Sequence, residues 1–388
     1  MLGASLPRPH ASACGVLLVL ALALALAGCA AQTNSAVTVT GKTLTIYASL
    51  PPGGAGGQAA ADVLAAEHLA LQQAGSSVGK FTVHLVTLHG REISDNARRA
   101  IQDSTAIAYL GEIGPGTSQD SVPITNELGL LQVSPTDTAA YLTQAVPQVS
   151  GSPTTFYPSR STYHETFARV VPSTVQEAKA ITAEMHSLGL SKLYVADDGT
   201  SYGATVTNEV RADAAAQSLS VVSSAAGADA VFYGANTPAR ASRALDQAAS
   251  AAPSAKLFAP SALYDAAFVS SLSAGAQKNL YVSSPGFTPA TLTPSGRQFV
   301  SAFRTAYGHA PVPEAIFGYE AMSAVLAVLK QAGIGAGTRS TVVSDFRGLH
   351  DRQSVLGTYS ISSGDTNLAP FVFGRVHSGA LVATAPAG

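Results

Sequence analysis

Residues 107–138 read IAYLGEIGPGTSQDSVPITNELGLLQVSPTDT, and this stretch decides the fold. The apolar run at 107–111 predicts a strand, the spacing of apolar residues at 118–128 predicts a helix, and 130–133 predicts a second strand. Strands joined by a crossover helix run parallel, and ligands of such sheets bind where the strands end. A loop rich in Gly, Ser or Thr follows each of the two strands, so we expect a binding site there.

The alternation of strands and helices extends in both directions from this unit. Short apolar runs predict further strands at 44–49, 81–88, 192–196, 228–233, 257–260 and 280–284. Helical spacing predicts helices at 58–74, 94–104, 174–188, 204–217, 238–251, 265–272, 296–307, 319–332 and 340–349. A stretch rich in Pro, Ser and Thr at 151–162 divides the pattern, which predicts an α/β chain with two doubly wound parallel-sheet lobes.

Two finer predictions come from local signals. Thr174 and Glu177 fit a capping box at the start of a helix. Near the end of the chain, hairpin-like strands at 357–361 and 371–376 flank the turn Ser363-Gly364-Asp365. We therefore expect these last two strands to pair with each other and to join the second lobe.

The composition excludes several classes of function. The net charge is −2, only 12% of the residues are charged and no basic run occurs, so we expect no nucleic-acid partner. The nine His are scattered without His-x-x-x-His or Cys-x-x-Cys spacing, so we expect no metal site. The Gly-rich segment 53–57 lacks the Lys-Ser/Thr of a phosphate loop, and we expect no cofactor.

The N-terminal segment has the features of an export signal. A short basic start precedes an apolar run at 15–27, and the sequence Leu26-Ala-Gly-Cys29 stands at the end of this run. This sequence resembles the bacterial lipobox, in which the Cys is lipid-modified and begins the mature protein. We therefore predict a lipoprotein signal peptide at 1–28, a polar tether at 29–42, and a body held on the extracytoplasmic face of the cell membrane by lipid on Cys29. The alternatives are that the segment is an ordinary signal peptide or an uncleaved anchor, in which Cys29 is incidental.

Six segments, in chain order, resemble the motifs of one family. They are a strand with its Ser-rich loop at 109–119, the Ser-Pro-containing segment at 126–138, the Tyr-Gly motif at 198–203, a strand end at 230–234, the Gly-Tyr-Glu-Ala helix start at 318–321 and the segment at 356–365. Together they resemble the type I periplasmic binding fold, specifically the branched-chain amino acid (Leu/Ile/Val) receptor family of ABC importers. The resemblance implies two lobes joined by a three-strand hinge, which close around a ligand. It divides the body into a first lobe of 43–162 plus 286–338 and a second lobe of 163–285 plus 339–380.

The resemblance assigns ligand binding to the loops that follow two strands of the first lobe. In the family these loops grip the carboxylate of the ligand, and glycines and free N–H groups at a helix start suit that task. The corresponding residues here are Gly116, Thr117, Ser118, Thr136, Asp137 and Thr138. The residues alone also fit ordinary helix caps.

The second lobe supplies three further candidates. Tyr202 matches a ligand-facing Tyr of the family and would cover the ligand on closure; otherwise it is a surface aromatic residue. Ser261 stands where amino-acid binders commonly carry a Glu for the ligand ammonium, and Asn236 stands where they often carry a Tyr. A neutral Ser cannot balance a buried ammonium as a carboxylate does, although Asp137 or Glu112 could compensate. An amino acid, an amide or a carboxylic acid therefore fits as ligand.

These features predict a monomeric, non-enzymatic solute-binding protein that delivers a small polar molecule to an ABC transporter permease. A ligand sensor of the same fold is an alternative that the sequence does not separate from it. A second alternative is a serine hydrolase, because Gly199-Thr-Ser-Tyr-Gly203 matches the Gly-x-Ser-x-Gly elbow between a strand and a helix. Ser201 would then be the nucleophile, with His309, His350 or His377 as base. The upstream motif of His followed by glycines, which such enzymes use for the oxyanion, is missing.

Overall fold

The computed structural model describes residues 1–4, 37–54 and 56–387, and Val37–Gly388 form one compact unit. Cys29 and most of the predicted signal peptide and tether lie outside the described residues. Within the described ranges, no helix is both long enough and apolar enough to cross a lipid bilayer.

Strands and helices alternate along the compact unit, as the periodicity predicts. The strands are β1 (Thr43–Ser49), β2 (Ser77–Val78), β3 (Phe81–Leu88), β4 (Ala106–Leu110), β5 (Leu131–Ser134), β6 (Phe167–Arg169), β7 (Lys192–Asp197), β8 (Ser220–Val222), β9 (Ala230–Gly234), β10 (Lys256–Ala259), β11 (Leu280–Pro285), β12 (Arg352–Ser354), β13 (Gly357–Tyr359), β14 (Ile361–Ser362), β15 (Asp365–Thr366), β16 (Phe371–His377) and β17 (Ala380–Thr384). The helices are α1 (Gly57–Ala74), α2 (Ile93–Gln102), α3 (Val122–Glu127), α4 (Arg160–Tyr163), α5 (Thr174–Ser187), α6 (Ser201–Ala214), α7 (Pro238–Ala251), α8 (Ala266–Ser270), α9 (Ala274–Asn279), α10 (Pro294–Tyr307), α11 (Ala315–Ala332) and α12 (Arg339–Arg347).

The first lobe is built on a sheet with the strand order β2-β3-β1-β4-β5-β6. Its strands run parallel, except for the two-residue β2, which is antiparallel to β3. Consecutive residues of β1 enter different cores, since Ile46 packs with α1 and α11 whereas Tyr47 packs with α2. Because side chains alternate across a strand, helices therefore cover both faces of this sheet.

The second lobe is built on a sheet with the order β17-β16-β11-β10-β9-β7-β8. The strands from β8 to β11 run parallel, and β16 and β17 extend the sheet in the antiparallel direction. In β9, Phe232 packs with α5 and α6, whereas Val231 packs with α7 and α8 on the opposite face. This confirms the prediction of two doubly wound lobes.

The chain passes between the two sheets three times, after β6, after β11 and before β16. These passages form the three-strand hinge. Two elements lie in a different lobe from the one expected: β6 pairs with β5 of the first sheet, and α12 packs against β4 and β5 with Phe346 in the first core. The expected divisions at 163 and 339 therefore differ from the observed packing, because β6 completes its hydrogen bonds with β5 and α12 buries Phe346 in the first core.

The predicted terminal hairpin is wrong in its pairing. β13 pairs with β12, whereas β16 pairs with β17 and with β11 of the second sheet. The turn at Ser363-Gly364 joins only the two-residue strands β14 and β15. The turn signal was correct locally, but the hydrogen-bonding edge offered by β11 decides the partner of β16, and that edge is distant in sequence.

Candidate functional site

A cavity of about 440 Å³ lies between the two lobes. Loops that follow β1, β4 and β5 form its wall on one side, and loops that follow β9 and β10 form it on the other. The point where β11 ends and residues of the first-lobe helices also contribute. The residues that line it are Pro51, Pro52, Gly56, Ala59, Val63, Ile93, Ile113, Gly114, Pro115, Thr117, Thr136, Asn236, Pro238, Ser261, Ala262, Tyr264, Asp265, Pro285 and Glu314. The carboxyl ends of strands in both sheets thus meet at one crevice, which is where open α/β sheets bind ligands.

Four of the nine predicted ligand-binding residues line this cavity, and five lie behind its wall. The four lining residues are Thr117, Thr136, Asn236 and Ser261. The five buried behind it are Gly116, Ser118, Asp137, Thr138 and Tyr202. Each of the two predicted first-lobe loops thus contributes at least one residue to the cavity, but periodicity did not indicate which side chains of a loop face the crevice.

The carboxylate of Asp137 fills the space between the two first-lobe loops. Its Oδ1 accepts hydrogen bonds from the backbone N–H of Gly116 at 2.7 Å and of Ala139 at 2.9 Å. Its Oδ2 accepts one from the backbone N–H of Ser118 at 2.7 Å. The backbone donors that were expected to hold a ligand carboxylate therefore already hold a carboxylate of the protein itself.

Gly116 is also the point at which the two lobes come into close contact. It has a φ of 82°, in the left-handed region that favours glycine. A Cβ at this position would lie 2.9 Å from Oη of Tyr141 and 3.3 Å from Cβ of Tyr202 of the second lobe. The absence of a side chain here therefore lets the first-lobe loop approach the start of α6 closely.

Tyr202 is fully buried, and its hydroxyl points to a carboxylate that the sequence analysis did not assign to the site. The Oη of Tyr202 donates to Oε2 of Glu177 at 3.3 Å. Oε1 of Glu177 accepts from the backbone N–H of Ser261 and from Oγ of Ser283, each at 2.6 Å. Burial raises the pKa of this carboxyl above its ordinary value, although the hydrogen bonds oppose the shift. Glu177 therefore joins α5 to the ends of β10 and β11 beneath the cavity.

The position of Glu177 follows from a correction at the start of α5. The capping box there is formed by Ser173 and Gln176, and not by Thr174 and Glu177 as predicted. The two pairs have the same spacing, so the sequence pattern alone admits both registers. With the cap one residue earlier, Glu177 turns inward and is available for the contacts with the strand ends.

Glu112, which was considered as a possible partner for a ligand ammonium, lies below the first-lobe loop. Its Oε2 accepts from Oγ of Ser49 and its Oε1 from Oη of Tyr109, each at 2.6 Å. Burial raises the pKa of Glu112 to about 7. Both oxygens have partners within the lobe, and the residue is not among those that line the cavity.

Glu314 is a lining residue that the sequence analysis missed. It immediately precedes α11, and Oγ of Ser284 donates to its Oε1 at 2.5 Å. Its Oε2 is buried and has no hydrogen-bond partner among the described residues. Burial raises the pKa of Glu314 to about 6. An acidic residue just before a helix ordinarily indicates a cap, so no sequence signal distinguished this one from a cap.

The charged groups of the lining are all acidic. Glu314 and Asp265 line the cavity, and no Lys, Arg or His is among its lining residues in the described part of the chain. Asp265 also caps α8, because its Oδ1 accepts from the backbone N–H groups of Ala267 and Phe268. The described residues contain no group of three or more His, Cys, Asp or Glu placed to hold a metal ion.

The residues proposed for a hydrolase do not come together. Ser201 is exposed at the start of α6. His309 lies 2.9 Å from Asp62, and His350 lies 2.9 Å from Asp351. Among the described hydrogen bonds, none joins Ser201 to a histidine, so the arrangement of nucleophile and base that this chemistry needs is absent there.

The fold matches that of several solved binding proteins. A leucine binding protein, LivK from Thermotoga maritima, matches with a TM-score of 0.70 at 19% identity, over 88% of this chain and 98% of that one. A substrate-binding protein of an ABC transporter from Desulfitobacterium hafniense, in complex with Leu, matches with a TM-score of 0.71 at 19% identity, over 88% and 100%. A solute-binding protein of an ABC transporter from R. palustris, in complex with benzoate, matches with a TM-score of 0.67 at 18% identity, over 89% and 96%. These similarities confirm the type I periplasmic binding fold.

Sequence comparison agrees with the structural similarity. No curated protein shows significant sequence similarity to the chain. The profile of a family described as periplasmic binding protein matches residues 91–380, which include both first-lobe loops, the second sheet apart from most of β17, and the three passages between the lobes. Because this match covers most of the chain and the structure has the corresponding two lobes and crevice, the chain belongs to the periplasmic binding protein family.

Proposed function

We propose that this protein is an extracytoplasmic solute-binding lipoprotein, which captures a small polar solute between its lobes and delivers it to an ABC transporter permease. The observation that carries the proposal is the cavity at the strand ends of both sheets, since a solute bound there would contact both lobes at once. Three chain passages connect the lobes, and a hinge of a few connecting residues is a common route to domain closure. A ligand that contacts both lobes would favour the closed form.

Lipid attachment at Cys29 is a separate part of the proposal and is supported by the Leu-Ala-Gly-Cys sequence at 26–29. In cells fed a radiolabelled fatty acid, we expect label on the wild-type protein and none on Cys29→Ser. We also expect the wild-type protein in the membrane fraction and the variant mainly outside it. Equal labelling of the two proteins would contradict the assignment.

Solute binding is tested with the full-length protein purified from membranes in detergent. Native mass spectrometry is expected to show a bound small molecule that is released on denaturation. A thermal-shift screen of aliphatic amino acids, amides and aromatic carboxylates should find compounds that raise Tm, because a ligand that binds only the folded state stabilises it by mass action. The absence of both a co-purified solute and any stabilising compound would refute the proposal.

We further propose that the protein acts as a monomer and performs no chemistry on its ligand. Ser201 is exposed, and no described hydrogen bond joins it to a histidine, which supports a non-catalytic role. A fluorophosphonate probe is expected to leave Ser201 unmodified, and labelling at this residue would restore the hydrolase alternative. The mass of the protein in detergent, measured before and after a binding solute is added, tests whether the protein is a monomer.

A further inference from the structure

We propose that the cavity selects a compact, largely apolar solute that carries an N–H donor group, an amine or an amide, and that Glu314 accepts its hydrogen bond. This inference rests on the proposed solute-binding function and narrows it to one class of ligand. It makes Glu314 a specificity-determining residue and disfavours solutes whose only polar group is a carboxylate.

The charge of the lining favours a ligand with an N–H donor. Among the described residues, the lining of the cavity has two carboxylates, Glu314 and Asp265, and no cationic side chain. A bound carboxylate would lie near these like charges without a cation to balance them, whereas an ammonium or an amide N–H would interact favourably with an acidic wall.

The position of Asp137 disfavours a ligand carboxylate. The backbone N–H groups of Gly116 and Ser118 are the natural anion donors of the first-lobe loop, and each donates to Asp137 at 2.7 Å. A ligand carboxylate would need to displace a fully buried side chain from three hydrogen bonds. These two backbone donors are therefore already occupied from within the protein.

One oxygen of Glu314 is available to a ligand. Oγ of Ser284 satisfies Oε1, but Oε2 is buried and has no hydrogen-bond partner among the described residues. A buried acceptor that lacks a hydrogen bond is unfavourable, and a donor supplied by a ligand relieves that cost. The last torsion of a Glu side chain is soft, so a small rotation of the carboxylate can present Oε2 to a donor in the cavity.

The other lining residues indicate the chemistry of the rest of the ligand. Apolar side chains from both lobes form most of the wall, among them Val63, Ile93, Ile113 and Ala262. Burial raises the pKa of the Tyr264 phenol, with a smaller contribution from the nearby carboxylate of Glu314, so the phenol remains a neutral donor and acceptor. An apolar wall with one acidic anchor fits an aliphatic or aromatic body that bears a single amine or amide.

The test compares three probes of matched shape: benzylamine, benzamide and benzoate. Binding to the full-length protein in detergent is measured by thermal shift and calorimetry, and any solute that co-purifies is identified by mass spectrometry. We expect benzylamine or benzamide to raise Tm while benzoate does not.

Glu314→Gln should weaken binding of the amine at least tenfold, because Gln keeps the shape and removes the charge. Glu127→Gln, the same substitution on an exposed helix residue outside the cavity, should change nothing. Unfolding of each variant without ligand checks that the fold is retained.

The outcomes separate this inference from the proposed function. Stabilisation by benzoate and not by the amine or amide overturns the inference and leaves solute binding intact. A co-purified solute that lacks an N–H donor has the same consequence, as does amine binding that Glu314→Gln leaves unchanged. If no probe binds and no solute co-purifies, both proposals fail.

Discussion

Replacing Asp137 by Ala removes three hydrogen bonds, two of which join the two first-lobe loops. The carboxylate is fully buried and accepts from the backbone N–H groups of Gly116, Ser118 and Ala139. A hydrogen bond to a charged group contributes ~1.5–3 kcal/mol, and three that share one carboxylate are not independent, so we expect a loss of about 3–5 kcal/mol in the free energy of unfolding. Asp137→Asn keeps one oxygen but turns an NH₂ group toward a backbone N–H, and we expect a loss of ~1–3 kcal/mol.

The assay is urea unfolding followed by far-UV circular dichroism, because the chain has no Trp for fluorescence. Asp345→Ala is the matched control, since the Asp345 carboxylate has no hydrogen bond among those described and we expect a change below ~0.5 kcal/mol there. Formate should partly restore the stability of Asp137→Ala, because it can occupy the vacated donors, and should not affect the wild-type protein.

The reasoning would be refuted by an Asp137→Ala protein whose unfolding matches that of the control. An Asp137→Ala protein that is destabilised but insensitive to formate would mean that the donors rearrange when the carboxylate is removed. The vacated space would then not be a preformed anion site.

Three further predictions concern other buried groups and the contact between the lobes. Burial raises the pKa of Glu67 to about 8, so the folded state keeps a proton at pH values where the unfolded state has already lost it. The free energy of unfolding therefore falls as pH rises from about 5 to 8. In urea unfolding, Glu67→Gln should become more stable relative to wild type across this range, and an equal difference at both ends would contradict this. Arg169 is fully buried and lies 2.8 Å from Asp365, so Arg169→Met should cost about 3–5 kcal/mol by the same assay, and a neutral result would show that the pair is dispensable. Gly116→Ala should hinder the approach of the lobes, because the added Cβ would lie 3.3 Å from Cβ of Tyr202 in the second lobe. Small-angle scattering with a bound solute should then show a less compact protein than wild type, and identical scattering profiles would count against this.

Much of the fold could be predicted because periodicity is local. The alternation of apolar residues in 81–88 and the helical spacing in 58–74 are properties of a few consecutive residues, and the observed β3 and α1 match them closely. The missed strands β6 and β8 have three residues each, too few for a period to be visible. The wrong pairing of β16 has another cause, since its partner β11 lies almost ninety residues earlier in the chain and no local turn specifies it.

The sequence by itself determined the class of fold, because the alternation of strands and helices is a local property. It also predicts a ligand site in the loops that follow two strands of the first lobe, because strand ends and turn residues are encoded next to one another. The tertiary structure decided which side chains of those loops face the crevice. Asp137 accepts from a loop about twenty residues earlier, Glu177 reaches strand ends more than eighty residues later, and Glu314 meets Ser284 across thirty residues. The direction of a buried carboxylate depends on donors brought close by packing of the whole lobe, and no local pattern records their positions.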